Sequence, residues 1–441
     1  MTTSTTPTDA SRSWFKTLRQ GLAHEQALWV GVAAVLVAIV LLPILTVVVL
    51  ALRPGQAGLG AVFASVLGRA LRDTLLLMIA TGAVTLVIGT ATAWLITMYR
   101  FPGRGVLDRL LVLPLAVPTY ILAFAYVELL DYAGPVQSSL RMAFGWSSRS
   151  AYWFPDIRSL GGAVFVTAMA LFPYVYLSAR ASFVQQSVCV LEVARTLGQT
   201  SLGAFWSVAL PLARPALAAG VALVLMECAN EFGAMQHLGV DTLTVAVYTT
   251  WLQRGSLTGA AQIALVALLV VGAMLMIERI ARQGARFHHT TGRYQAIPFQ
   301  DLYGAKAYAA IVVCVVPVLL GFVVPFSVLA YHSVRHAGEA FAGGFLGAAL
   351  RSILLAGVAA LVAVGVGLVL AYARRVVRSG LVTQAALIAG LGYALPGTVL
   401  ALGLKLPLSA LDNWVDSGVR ATLGVSSGLM LSGTIVIVVL A

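Results

Sequence analysis

Long apolar runs separated by short charged stretches set the first expectation. Ala27–Leu52, Thr74–Tyr99, Leu110–Val127, Leu160–Ala179, Gly255–Ile277, Ala307–Tyr331, Ser352–Ala373, Ser379–Leu404 and Ala421–Ala441 contain no Asp, Glu, Lys or Arg. A hydrocarbon core about 30 Å thick is crossed by about 20 apolar residues in a helix. Pro215–Met226 is shorter and reaches that length by running on past Glu227. The pattern predicts an all-α polytopic membrane protein with about ten transmembrane helices. Ala27–Leu52 exceeds the roughly 7–15 apolar residues of a signal peptide, and no A-x-A-like site follows it. It reads as a span, with residues 1–26 a polar cytoplasmic tail.

Composition strengthens this picture. The chain is 60% hydrophobic and 10% charged, with a mean hydropathy of +0.94, where a soluble domain carries about 25% charged residues. A net charge of +12 would suit nucleic acid, but the cations follow membrane topology instead. With the N-terminus inside, seventeen of the 28 Lys and Arg residues fall on inner segments, as the positive-inside rule requires. That orientation places 185–214 in the cytoplasm. Cys189, Cys228 and Cys314 are widely spaced and form neither a disulfide framework nor a zinc motif.

An internal repeat organises the chain. At an offset of 278, Thr74-Leu75-Leu76-Leu77 matches Ser352-Ile353-Leu354-Leu355. In the same register Gly89 falls on Gly367, Ala93 on Ala371, Trp94 on Tyr372, Arg100 on Arg378, Ala116 on Ala394 and Pro118 on Pro396. The Gly, Pro, Arg and aromatic matches carry the inference, because leucines align easily in apolar sequence. Both copies run inward six spans apart, so the repeat is parallel, whereas many secondary carriers use inverted repeats. The expected division is a first half over 27–280 (core repeat from about 71), a cytoplasmic connection over 281–305 and a second half over 306–441. Glu192 plus the offset is 470, past Ala441, so the second half is expected to stop short of its copy of the following motif.

"LEVARTLGQTSLGAFWSVALPLARP", residues 191–215, is a polar, glycine-punctuated stretch between spans. It predicts a helix closing at Gly198 and a second piece over Leu202–Leu210 capped by Ser201. Pro211 is expected to interrupt that piece, and Pro215 to open the next span. Read alone, it is a surface helical hairpin. Its spacing says more: Glu192, Ala194, Gly198, Val208, Leu210 and Pro211 fit E-A-A-x3-G-x9-I-x-L-P, with valines at 193 and 208 as conservative departures. The stretch resembles the EAA loop (here 185–215) of the membrane subunits of bacterial ABC importers. "YRFPGR" at 99–104, residues 110–141 and "ALPGTVLALGL" at 394–404 resemble the fused ferric-iron permeases of that family, over most of the chain from about residue 70.

The resemblance implies that Glu192, Ala194, Arg195, Gly198, Leu210 and Pro211 dock a cytoplasmic ABC ATPase, in two copies. ATP and Mg would be bound on that partner, since no G-x4-G-K-[ST] occurs here, and this chain would be no enzyme and carry no cofactor. It further implies a periplasmic substrate-binding protein as partner and a bacterial inner membrane as location. Ferric iron is the first-choice cargo; thiamine, polyamines or another small solute share the architecture.

Candidate pathway residues are Glu227, Asn230 and Glu231, with Pro118 and Pro396. Glu227 and Glu231 are four apart, hence expected on one helical face, and intramembrane acids are functional candidates. The alternative is that they cap packing at the end of a short span. No stable metal site is expected, because a conduit must release what it binds. His332 and His336, also four apart, read as interfacial residues with no third ligand, and His288-His289 as solvated loop. A different class of protein, an ion-coupled secondary carrier using Glu227 and Glu231, stays open at this point.

Overall fold

A computed structural model describes residues 9–53, 66–185, 198–282, 299–338, 344–377, 380–390, 392, 395–426 and 428–434. In chain order the helices are α1 (Asp9–Leu52), α2 (Gly68–Met98), α3 (Arg104–Leu110), α4 (Thr119–Leu130), α5 (Pro135–Phe144), α6 (Leu160–Gln185), α7 (Leu210–Asn230), α8 (Gly233–Leu238), α9 (Leu243–Tyr248), α10 (Leu257–Arg282), α11 (Ala305–Val318), α12 (Val324–Arg335), α13 (Phe345–Val376), α14 (Gly380–Gly390) and α15 (Gly397–Leu423). Two short strands, β1 (Tyr99–Arg100) and β2 (Gln300–Asp301), pair in parallel. The chain is an all-α polytopic membrane protein.

Seven helical stretches among the described residues are long and apolar enough to span a bilayer: Leu28–Leu52, Gly68–Met98, Leu160–Gln185, Phe205–Asn230, Leu257–Glu278, Ala305–Arg335 and Phe345–Val376. An eighth is a broken pair, Arg104–Ala116 with Thr119–Phe144, bent by 92°. The described residues thus hold seven or eight of the expected ten. Leu110–Val127 bends because Pro118 takes ψ 139, an extended value that ends the preceding turn. Ser379–Leu404 is divided between α14 and α15 in the same way, with Pro396 at ψ 134. Beyond Leu423, the described residues of Ala421–Ala441 are not helical.

The prolines at 211 and 215 do not punctuate the chain as expected. A helix starting at Ser201 passes through a π-helical turn, Phe205–Ala209, straight into α7. The Leu210 N–H reaches back five residues to the Phe205 carbonyl, and this wider register accommodates the ring and missing donor of Pro211. The same device recurs where a π turn over Leu319–Val323 precedes Pro325.

The chain divides into two compact units, Met1–Leu52 with Ala340–Ala441, and Arg53–Glu339. The units thus interleave the two sequence halves: the first span belongs with residues of the second half, and α11–α12 with the first. In the larger unit α6 is the central helix. A Cβ on Gly89 of α2 would lie 2.8 Å from the Tyr176 backbone nitrogen, and one on Gly220 of α7 would lie 3.0 Å from Val175 Cα. Small residues on both flanks let the backbones approach closely, which is how helices associate where lipid supplies no hydrophobic drive. Thr81 and Thr167 hydroxyls bond at 2.9 Å across the α2–α6 contact. In the smaller unit α1 packs on α14 and α15, with Gly403 set against the Pro43 backbone and Trp29 edge-on to Tyr372 at 5.1 Å.

Candidate functional site

The residues singled out in the first half fall into two groups. The first lies at the basic end of α2, where Arg100 and Arg104 follow the last turn. Trp94 of α2, Phe183 of α6 and Phe205 of the π turn form one aromatic cluster, with centroid distances of 5.4 Å, 4.9 Å and 6.4 Å. Phe183 is fully buried. The polar stretch therefore leaves from and returns to a single anchored point. Glu192, Ala194 and Arg195 lie outside the described residues.

Gly198 takes φ +82, the left-handed backbone that favours glycine, and no described residue lies within 4 Å of its Cβ position. The helix that follows is capped by Thr200, not Ser201: the Thr200 Oγ1 accepts the Gly203 N–H at 3.1 Å. Ser207 donates to Gln199 Oε1 at 2.6 Å, and Trp206 is 63% exposed beside them. Leu210 and Pro211 are half-buried at the entry to α7. An open groove of about 1330 Å³ at this end is lined by Trp94, Tyr99, Thr200, Asp301, Tyr303 and Lys306.

The connection's end is clamped here as well. β2 pairs with β1 so that Tyr99 faces Gln300 and Arg100 faces Asp301, and the Leu302 N–H bonds the Arg100 carbonyl at 2.9 Å. The Arg104 guanidinium lies 3.9 Å from the centroid of the Phe299 ring, a cation–π contact.

The second group surrounds the bend at Pro118. The Pro118 carbonyl accepts the N–H groups of Ile121 and Leu122, starting α4. The Thr119 hydroxyl bonds the Glu231 carboxylate, whose Oε1 also accepts the Ala234 N–H at 3.0 Å. The Glu231 carbonyl accepts from Thr244 Oγ1 at 2.9 Å. Glu231 has left the helix, with ψ 117, so it does not share a helical face with Glu227 as the four-residue spacing implied. Its carboxylate caps α8 and ties α7 to α4. Glu227 is half-buried on α7. Asn230 Oδ1 is buried and accepts no hydrogen bond among the described residues. Pro396, in the other unit, opens α15 as Pro118 opens α4: its carbonyl accepts from Val399 at 2.9 Å and Leu400 at 3.0 Å.

Among the described residues no group of three His, Cys, Asp or Glu side chains is placed to hold a metal. His332 does have an acidic neighbour from another helix, Glu128 Oε1 at 3.6 Å, while His336 turns its Nδ1 to the His332 carbonyl at 3.1 Å. His237, on α8, packs against Tyr120 and Phe124. Burial, and then the nearby Arg158, push its pKa below the ordinary value. Thr119, Thr244 and Asp108 were not legible as site residues. Of these only Asp108 carried a signal, as the single acid among Arg100, Arg104 and Arg109.

Residues 85–283 match the family described as the binding-protein-dependent transport system inner membrane component. This stretch, a little under half of the chain, is similar to that family's domain. The matched stretch runs from within α2 to just past α10 and takes in Trp94, Phe183 and Phe205 of the first group and Pro118, Glu227 and Glu231 of the second. An Fe(3+)-transport system permease protein of Haemophilus influenzae is 24% identical over 85% of this chain and 71% of its own length. A sulfate transport system permease protein of Salmonella typhimurium is 34% identical over 34% of this chain, which spans half of that relative's length. A molybdenum transport system permease protein of Escherichia coli is 28% identical over 46% of this chain and 89% of its own.

Proposed function

We propose that this chain is the membrane subunit of an ABC importer, driven by a separate cytoplasmic ATPase that docks on 185–215. The observation that carries the reading is the spacing of Glu192, Ala194, Gly198, Leu210 and Pro211 within a stretch whose two ends are pinned by Trp94, Phe183 and Phe205. A segment so anchored moves as a body with α6 and α7 when a partner pushes on it, as a helix seated in a groove does. ATP and Mg belong to the partner, and solute arrives on a periplasmic binding protein. The membrane is the bacterial inner membrane, with the N-terminus in the cytoplasm.

Ferric iron is the proposed cargo, supported by the relative that covers most of this chain. Sulfate and molybdenum permeases among the relatives make this the narrower part of the proposal. The pathway candidates remain Glu227, Asn230, Pro118 and Pro396, with Glu231 shaping the wall rather than meeting the solute.

Glu192→Lys and Gly198→Asp test the docking role. Each is expected to leave membrane insertion intact and to lower ATP-driven uptake at least tenfold, measured in proteoliposomes with the ATPase and binding protein present. Unchanged uptake in both would reject docking through this stretch.

A further inference from the structure

Asp108 sits on α3 and accepts hydrogen bonds from two residues of α6. Arg180 grips it with both arms, Nε to Oδ1 at 2.7 Å and an Nη to Oδ2 at 2.8 Å. The Tyr176 hydroxyl donates to Oδ1 at 2.6 Å. Tyr176 and Arg180 are four apart on a continuous helix, so they present one face to α3. Tyr176 is fully buried, and the Asp108 side chain is 25% exposed. A bidentate Arg–carboxylate pair is planar and directional, so it resists both sliding and rotation, which a lysine point charge does not.

The neighbours on either side of this contact give it a direction. Arg180 lies five residues before the end of α6, which leads into the docking stretch. Asp108 lies ten residues before Pro118, where the broken span turns through 92°. Between them α3 is followed by a tight turn over Leu113–Ala116, and Thr119 beyond the bend is bonded to Glu231. The other end of α3 is held too, because Arg104 Nε donates to the Ile96 carbonyl of α2 at 2.6 Å.

We propose that Asp108 and Arg180 are positioning residues, forming a rigid post that passes displacement of the docking end of α6 into the broken span at Pro118. This rests on the importer reading above.

Two measurements test it. In the chain alone, spin labels at Val106→Cys on α3 and Val184→Cys on α6, with the native cysteines replaced, report the post without any partner. Both positions are exposed. The expected result is a narrow distance distribution that broadens at least twofold on Arg180→Lys or Asp108→Asn. Tyr176→Phe, which spares the bidentate pair, should change it little. Identical distributions in parent and variants would overturn the post, whatever drives transport. In the assembled transporter, Arg180→Lys is expected to keep ATP hydrolysis within about twofold while uptake falls about tenfold, and Tyr176→Phe to keep both. Hydrolysis and uptake falling in proportion, or neither falling, would overturn the coupling role. Failure of the unmutated chain to retain an ATPase would instead sink the importer reading, and the spin-label result would then decide the post by itself.

Discussion

Gly89 and Gly367 occupy the same register of the repeat, yet one is locked in a helix crossing and the other meets none of the described residues. Around Gly89 a Cβ would run into Val175 and the Tyr176 backbone; around Gly367 no described residue lies within 4 Å of that position. The helices that carry them match closely, since α2 ends at Met98 and α13 at Val376, 278 residues on. Their surroundings differ: 44% of the apolar stretch of α2 is buried, against 6% of that of α13. Trp94 packs on Phe183 and Phe205, while its counterpart Tyr372 meets Trp29 of α1. The repeat therefore specifies where helices begin, bend and end. Among the described residues α2 is covered by α6 and α7, whereas α13 touches α1 and α14.

The sharpest way to break this comparison is a paired substitution. Gly89→Leu should destabilise the detergent-solubilised protein by about 3 kcal/mol or more, because the obstacle is backbone and overpacking cannot relax around it. Gly367→Leu, with no described residue within 4 Å of its Cβ position, should stay within about 0.5 kcal/mol. Thermal unfolding of the two variants side by side checks this, and equal shifts would show that the copies are buried alike. A smaller effect tests where the copies diverge after their prolines. Position 119 is Thr, bonded to Glu231, but position 397 is Gly. Glu231→Ala should cost about 1 kcal/mol through loss of the cap on α8, while Glu231→Gln keeps an acceptor for the Ala234 N–H and should cost less. A Gln variant as damaging as Ala would mean that charge, not capping, is what Glu231 supplies.

Much of this architecture was legible beforehand. Seven of the ten apolar windows became spanning helices, and the 278-residue offset carried Pro118 onto Pro396 at the start of a helix each time. What composition could not show is backbone direction. A window scan counts apolar residues over Leu110–Val127 without seeing that Pro118 turns the chain through 92°. Pro211 misled in the opposite sense, because a π turn supplied the register it needed. Glu231 was misassigned by assuming that α7 continued one residue further than it does. Asp108 was hidden because its meaning depends on Arg180, 72 residues away in sequence and 2.7 Å away in space.

The central claim is that a partner's ATP hydrolysis, not an ion gradient, drives solute through this chain. It is tested most directly by reconstituting the chain in liposomes and measuring uptake of ferric iron with its binding protein outside. The importer account predicts uptake only when the ATPase and ATP-Mg are enclosed, with no response to an imposed proton or sodium gradient. Uptake down such a gradient without the ATPase would contradict it.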